Sequence, residues 1–156
     1  TSASGLGQAG VVWGHRLRRP AGSLAAPCGR GAPVDAVTPA SVSIALVTCG
    51  SRLLDTSDGG ATWQPVGAFP HGGRVVTAAL VPGSAGRGVA LLSGVTGCAG
   101  LAVARTEDAG GRWQGGPCLS ALRPPATVSL AADGSGCALG RGNSATTTDD
   151  AGASWT

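Results

Sequence analysis

The stretch Thr106–Trp113, with the sequence TEDAGGRW, decides the fold because the chain repeats its pattern. The same frame, Thr-x-Asp-x-Gly-x-x-Trp, recurs at Thr56–Trp63 (TSDGGATW) and at Thr148–Trp155 (TDDAGASW). In chain order these are frames 1, 2 and 3, and their starts lie 50 residues apart (56 to 106) and 42 residues apart (106 to 148). A period of roughly 40–50 residues is typical of repeated four-stranded units. The sequence therefore predicts three copies of one β-sheet unit.

Each frame has the composition of a tight turn between two strands. Its glycine supplies a residue that tolerates positive φ. Its aspartate, two residues earlier, is expected to accept hydrogen bonds from backbone N–H groups of the same loop. Its tryptophan, whose ring buries roughly 150–250 Å², is expected to anchor the returning strand. The predicted structural residues are Thr56, Asp58, Gly60, Trp63, Thr106, Asp108, Gly110, Trp113, Thr148, Asp150, Gly152 and Trp155.

This pattern resembles the Asp-box, or BNR repeat, of sialidase-like β-propellers and of photosystem II assembly propellers, over about residues 34–156. Three short apolar strands precede each frame, and a fourth follows it. The predicted strands are 34–38, 43–48 and 52–55, then 75–81, 88–93 and 101–105, then 126–131, 137–141 and 144–147. The expected fold class is all-β, with three four-stranded antiparallel propeller blades. In the families it resembles, the Asp-box lies on the outer rim, away from the active site, so it names no function.

The blades imply a division of the chain into an N-terminal extension, residues 1–33, and one domain of three blades, residues 34–156. Val11–Trp13 looks like an outer strand that could close a ring. Three blades do not close a propeller, which typically has four to eight. Two copies could complete a ring, or further blades could come from a longer chain or from a partner.

The five cysteines predict disulfides. In the blade register, the end of the second strand lies beside the start of the first, which favours Cys28 with Cys49. The end of the fourth strand lies beside the start of the third, which favours Cys98 with Cys118. Cys137 is then left over, and pairing of Cys118 with Cys137 is the alternative. Disulfides indicate an oxidising, extracytoplasmic compartment.

Composition excludes several classes of protein. The net charge is +3, the basic residues are scattered arginines, and there are one phenylalanine and no tyrosine, so no nucleic-acid footprint or stacking surface is expected. The absence of lysine and tyrosine is typical of a GC-rich, actinobacterial-like genome. No apolar run approaches the ~18 residues of a membrane helix. An arginine group at residues 16–19 fits a solvated arm better than a membrane contact.

The sequence contains few candidates for catalytic residues. A sialidase is expected to use a tyrosine nucleophile, and this chain has none. Another glycosidase needs two carboxylates facing one cleft, for which Asp35, Asp55 and Asp133 remain. Gly5–Gly10 matches a dinucleotide fingerprint but lacks the preceding strand that such a site requires. No cysteine pair has zinc spacing. No catalytic, cofactor or metal residue is predicted.

The sequence therefore predicts a non-catalytic, extracytoplasmic module for protein–protein interaction, an assembly factor or accessory subunit of a larger complex. Its partner is expected to be another protein subunit or a second copy, with membrane association only through a partner or a lost anchor. The alternative is a carbohydrate-active propeller that binds glycans or is a degenerate glycoside hydrolase. A stable structural subunit of a respiratory or secretion complex is a third hypothesis.

Overall fold

The computed structural model describes residues 26–156, which form eleven strands in three sheets. The first sheet contains β1 (Ala36–Pro39), β2 (Ala45–Cys49), β3 (Arg52–Thr56) and β4 (Gln64–Pro65). The second contains β5 (Arg74–Leu80), β6 (Gly88–Ser93), β7 (Leu101–Thr106) and β8 (Gln114–Leu119). The third contains β9 (Thr127–Leu130), β10 (Gly136–Leu139) and β11 (Ala145–Thr148). Helical structure among these residues is limited to a 3₁₀ turn at Arg141–Asn143.

Each sheet is an antiparallel meander in which every strand pairs with the next one in the chain. We call the sheets blades 1, 2 and 3. In blade 3 the chain returns beside β11, where Thr147 and Thr156 exchange two backbone hydrogen bonds of 2.8 and 2.9 Å. The prediction of an all-β fold built from antiparallel blades is confirmed.

The strand bounds differ from the expected ones where turns intervene. The strand expected at 34–38 begins at Ala36. The strand expected at 137–141 ends at Leu139, because the backbone turns at Gly142 and Asn143, whose φ angles are +75° and +60°. Each frame lies between the third and fourth strand positions of its blade, which leaves its tryptophan directly before the returning strand.

The core consists of two apolar layers, one on each side of blade 2. The layer between blades 1 and 2 is built mainly from Leu46, Leu53, Leu80, Ala90, Leu92 and Trp113. The layer between blades 2 and 3 is built mainly from Val89, Leu91, Leu101, Val103, Val128 and Leu130. Because successive side chains of a strand point to opposite faces, the alternating residues of β6 enter both layers. Blade 2 is therefore buried on both faces.

Two disulfides are present, so the prediction of disulfides is confirmed. Cys28 is bonded to Cys49, with 5.4 Å between the Cα atoms, and Cys98 is bonded to Cys118, with 5.5 Å. Cys137 is a half-buried free thiol on β10, so the alternative pairing with Cys118 is not formed. The first bond ties the segment before β1 to the end of β2, and the second ties the β6–β7 turn to β8.

Three features of the sequence lie outside the described residues. They are the glycine-rich segment 5–10, the strand expected at Val11–Trp13 and the arginine group at 16–19. From residue 26 onward, the structure has no helix of the length and apolar character required to cross a membrane.

Candidate functional site

The centre of each frame is its buried threonine hydroxyl. In frame 2, Thr106 is 2% exposed, and its Oγ1 donates to Asp108 Oδ1 at 2.9 Å. The same Oγ1 accepts the backbone N–H of Gly110 at 2.8 Å. Frames 1 and 3 repeat both bonds at 2.8 and 2.9 Å. The threonine hydroxyl thus satisfies a backbone donor inside a turn where water has no access.

The frame aspartate closes the outer half of the turn. Its Oδ1 accepts the backbone N–H of the residue four positions later, at 2.8 to 2.9 Å in all three frames. In frames 1 and 3 that residue also has a hydroxyl, so Thr62 and Ser154 each add a 2.6 Å bond to Oδ2. In frame 2 the residue at this position is Arg112, which has no hydroxyl, so the Asp108 carboxylate lacks this additional bond.

These bonds hold the frame carboxylates in the ionised form. The Thr62 hydroxyl, followed by the Thr62 backbone N–H, lowers the pKa of Asp58 from 3.8 to about 2. The hydroxyl and N–H of Ser154 lower the pKa of Asp150 from 3.8 to about 2 in the same way. The backbone N–H of Arg112 lowers the pKa of Asp108. A carboxylate stabilised as an acceptor is a poor general acid, so the frames have the chemistry of turns.

A third bond joins each frame to the turn between the first two strands of its own blade. The N–H of Ala109 donates to Gly86 O at 2.8 Å, and the N–H of Ala151 donates to Gly134 O at 2.8 Å. Both alanines have positive φ, 59° and 56°. Sequence reasoning placed positive φ only at the glycine that follows. The available signal was frame 1, which has Gly59 at this position.

A large concave surface lies along the first strands of the three blades, β1, β5 and β9. These strands and the β1–β2 loop form an open groove of about 630 Å³. Blades 1 and 2 are linked beside it, because the N–H of Leu80 donates to Thr38 Oγ1 at 2.9 Å and the N–H of Gly83 donates to Ala40 O at 2.7 Å. We call this surface the inner groove.

The inner groove combines hydroxyl and apolar side chains. Its principal lining residues are Val37, Thr38, Ser41, Thr77, Thr127 and Ser129. Val37 is 59% exposed, so apolar surface is available to a ligand. Among the described residues that line the groove, none has an ionisable side chain or an aromatic ring. The groove can therefore bind through hydrogen bonds and apolar contact, and it offers no proton-transfer group.

The three carboxylates considered for catalysis are not brought together. Asp35 precedes β1 and accepts a hydrogen bond from the N–H of Gly50 in the β2–β3 turn. Asp133 follows β9, and its pKa is lowered by the hydroxyl and N–H of Ser135. Burial raises the pKa of Asp55 on β3, with a smaller contribution from the charge of Asp108. Asp35 thus stabilises a turn of blade 1 from its position before β1, and Asp133 stabilises the turn that follows β9 in blade 3.

A smaller cavity of about 200 Å³ lies in blade 2. Its lining includes His71, Leu92, Val95 and the Cys98–Cys118 disulfide. It is open beside His71 because β8 has no side chain at Gly115, where an added Cβ would lie 3.2 Å from the His71 Nε2. Nowhere between residues 26 and 156 do three His, Cys, Asp or Glu side chains cluster closely enough to hold a metal ion.

Solved structures share this arrangement of blades. A structure of YCF48 bound to D1 peptide superposes with a TM-score of 0.61 at 19% sequence identity, over 80% of this chain and 39% of that one. YCF48 from Cyanidioschyzon merolae gives a TM-score of 0.58 at 15% identity, again over 80% of this chain and 39% of that one. The chain has a β-propeller fold.

An ancestral GH74 enzyme has the same blade arrangement, with a TM-score of 0.55 at 18% identity over 78% of this chain and 18% of that one. The predicted likeness to assembly-factor and sialidase-like propellers is thus confirmed at the level of the fold. The propeller chain spans about two fifths of the length of the YCF48 chains that it matches. No protein-family model and no curated protein matches its sequence.

Proposed function

We propose that this propeller module is non-catalytic and binds a segment of another protein in the inner groove. It would act as an assembly factor or accessory subunit of a larger complex. The observation that carries the proposal is the lining of the groove, which offers hydroxyl groups and exposed apolar surface without a titratable side chain. Such a surface suits an uncharged peptide segment and supplies no acid or base for a reaction.

The dimensions of the inner groove support a peptide ligand. Its volume of about 630 Å³ lies within the range of roughly 300–1,000 Å³ found for ligand sites. The groove runs along three first strands, and an extended peptide can add hydrogen bonds to a strand edge while its side chains occupy neighbouring pockets. A solved neighbour, YCF48, is itself bound to a peptide of D1.

The two disulfides support an extracytoplasmic location, because disulfides persist in oxidising compartments. The partner would then be a secreted protein or the exposed part of a membrane complex, and membrane association would come through that partner. The frames would be Asp-boxes in a structural role, since their threonines and aspartates are already used as hydrogen-bonding groups of the turn.

A carbohydrate-active propeller is the second candidate function, and the GH74 neighbour favours it. Glycan binding usually uses aromatic platforms, but the described tryptophans lie in the frames, and Phe69 packs on Trp113 with 4.9 Å between ring centres. Hydrolysis needs two facing carboxylates, and Asp35 and Asp133 each close a separate turn. The groove therefore fits a peptide better than a sugar chain.

Native mass spectrometry of the protein purified gently from its source tests this proposal. We expect a foreign protein at fixed stoichiometry with the wild type. Ser129→Trp should abolish that association by filling the groove. Thr96→Trp, at an exposed position of the β6–β7 turn, should retain it.

Loss of the partner from both variants would contradict the groove as the binding site. Association of the wild type with oligosaccharide in place of protein would favour the carbohydrate-active alternative. Far-UV circular dichroism of each variant shows whether the sheets are retained.

A further inference from the structure

The two disulfides differ in the exposure of their cysteines. Cys28 is 8% exposed and Cys49 is half-buried, whereas Cys98 is half-buried and Cys118 is exposed. We propose that the Cys98–Cys118 disulfide is a thiol-exchange site, at which a small thiol attacks Cys118 and forms a reversible mixed disulfide. The proposal does not depend on the proposed function. It rests on the surroundings of this bond in blade 2.

Cys118 is exposed because the outer strand of blade 1 ends before it could cover this position. Cys118 pairs across the sheet with Ala102, which packs into the layer between blades 1 and 2, so both side chains are on the face towards blade 1. There β4 contains two residues, Gln64–Pro65, whereas β8 contains six, Gln114–Leu119. Both strands begin opposite the residue that precedes the frame threonine. β4 therefore ends level with Gly115, and Cys118 lies three residues further along β8.

A β-bulge accompanies the open space beside the disulfide. Ala102 pairs with Cys118 and Ala104 pairs with Gly115, so one residue of β7 faces two residues of β8, at positions 116 and 117. Neither Gly115 nor Gly116 has a side chain that could fill the space. The resulting cavity of about 200 Å³ is lined by both cysteines. Because ligand sites usually have roughly 300–1,000 Å³, this cavity suits a small thiol better than a large ligand.

The exchange follows the ordinary chemistry of thiols and disulfides. A thiolate that enters the cavity forms a bond to Cys118 Sγ, and the bond from Cys118 Sγ to Cys98 Sγ breaks. Cys98 leaves with the electron pair as a thiolate and takes a proton from water. A second thiolate can attack the bound small thiol, which releases a small disulfide and the Cys118 thiolate. Two small thiols are then oxidised and one protein disulfide is reduced.

Hydrogen bonds hold both cysteines in place when the bond is open. Cys118 belongs to β8, which is paired with β7 on both sides of the bulge. The N–H of Cys98 donates to Val95 O at 3.1 Å within the β6–β7 turn. Blade 2 also packs on a blade on each side, so its core does not require the disulfide. The opened site should therefore keep its fold, and removal of the thiol should restore the same bond.

Timed reduction of the folded chain tests the proposal. The protein is incubated with L-cysteine, quenched with acid at intervals and mapped by mass spectrometry. Cys98–Cys118 should open more than about tenfold faster than Cys28–Cys49, because access limits exchange, and the second bond is an internal control. The trapped cysteinyl adduct should be on Cys118. Equal rates for the two bonds, an adduct mainly on Cys98, or resistance of both bonds until the sheets are lost would overturn the proposal.

A matched pair of variants tests which sulfur is attacked. Cys98→Ser and Cys118→Ser remove the same disulfide, and each leaves one of its two thiols. Both are made in a Cys137→Ser background, which prevents exchange with the free thiol. The Cys118 thiol should react with Ellman's reagent more than about tenfold faster than the Cys98 thiol. Far-UV circular dichroism checks that both variants keep their sheets, and an equal or faster reaction at Cys98 would overturn attack at Cys118.

Discussion

The backbone N–H of Gly67 donates a 2.7 Å hydrogen bond to the carbonyl oxygen of Gly110. Gly67 follows the outer strand of blade 1, and Gly110 is the fixed glycine of frame 2. The chain that leaves one blade is therefore bonded to the turn of the next. An added Cβ on Gly67 would lie 2.3 Å from the carbonyl oxygen of Gly111. This approach is possible only without a side chain.

Gly67→Ala should consequently destabilise the protein. The backbone at Gly67 is outside the positive-φ region, so the effect comes from the contact with frame 2 alone. We expect the free energy of unfolding to fall by about 1–3 kcal/mol, as overpacked sites do. Urea denaturation measures it. Gly115→Ala is the control, because its new Cβ would meet only the mobile end of His71. Equal stability of the two variants would refute the role of this contact.

Thr106→Val tests the threonine as the centre of frame 2. Valine keeps the shape of the side chain and removes the hydroxyl that accepts the Gly110 N–H. Because this donor is buried, we expect a loss of about 1–3 kcal/mol of unfolding free energy. Thr96→Val, on an exposed turn, should change stability by less than about 0.5 kcal/mol. Thermal unfolding of both variants gives their melting temperatures. Equal melting temperatures would contradict the role of the Thr106 hydroxyl in stabilising frame 2.

The fold could be predicted because its signal is local and repeated. One position of the frame is always glycine, at Gly60, Gly110 and Gly152. A fixed glycine at that spacing predicts a tight turn between two strands. The three frame threonines were predicted as structural residues, but the hydrogen bonds of their hydroxyls were not, since that role depends on burial, which a short motif does not show. The end of β10 was placed at 141 and lies at Leu139, because the 3₁₀ turn begins at Arg141, before the glycine and asparagine at 142 and 143 that indicate a turn in the sequence.

Acid should remove part of the stability contributed by the frames. The pKa values of Asp58 and Asp150 fall to about 2 from an ordinary 3.8. A carboxyl group with a lowered pKa stabilises the folded state above the unfolded value, so its contribution is complete above about pH 4. It is lost as the pH falls from about 4 towards about 2. Denaturant titrations across this window should show falling stability.

The double variant Asp58→Asn with Asp150→Asn should be less stable at pH 7 and should depend less on pH between 4 and 2. Glu107→Gln with Asp149→Asn also removes two carboxylates, at the variable positions of frames 2 and 3, so it is a charge-matched control that should keep the acid response of the wild type. An unchanged acid response in the double variant would mean that other carboxylates cause it.

The disulfides should contribute to stability in a way that Cys137 does not. The Cys98–Cys118 bond closes a loop with a sequence separation of 20, and a loop of this size contributes roughly 3 kcal/mol in the chain-entropy model. Replacing both cysteines by serine should lower the unfolding free energy by about that amount. Cys137→Ser should have little effect, because Cys137 forms no disulfide. Non-reducing peptide mapping of the wild type should find two linked pairs, and any linked peptide containing Cys137 would contradict this pairing.

The inner groove could not be predicted from the sequence. Thr38, Thr77 and Ser129 are separated by 39 and 52 residues in the chain (38 to 77, 77 to 129), and they meet only because neighbouring blades place their first strands side by side. Nothing in the local pattern distinguishes a threonine that faces a groove from one that faces solvent. The candidate carboxylates were identifiable by type, but their use as turn acceptors became visible only in three dimensions.

The bond between Ala109 and Gly86 has a consequence for how such a protein can change over evolutionary time. Frame 2 makes most of its hydrogen bonds within its own blade. It contacts the neighbouring blade at its glycine, where the carbonyl oxygen of Gly110 accepts the N–H of Gly67. A duplicated stretch of about one repeat would therefore contain the residues that form its own turn, and it would pack on the adjoining blade without compensating changes. Deletion of a whole repeat would likewise leave the turns of the other blades intact. Genes that encode this architecture can lengthen or shorten in whole blades, and the number of blades is free to drift while the design of each one is kept.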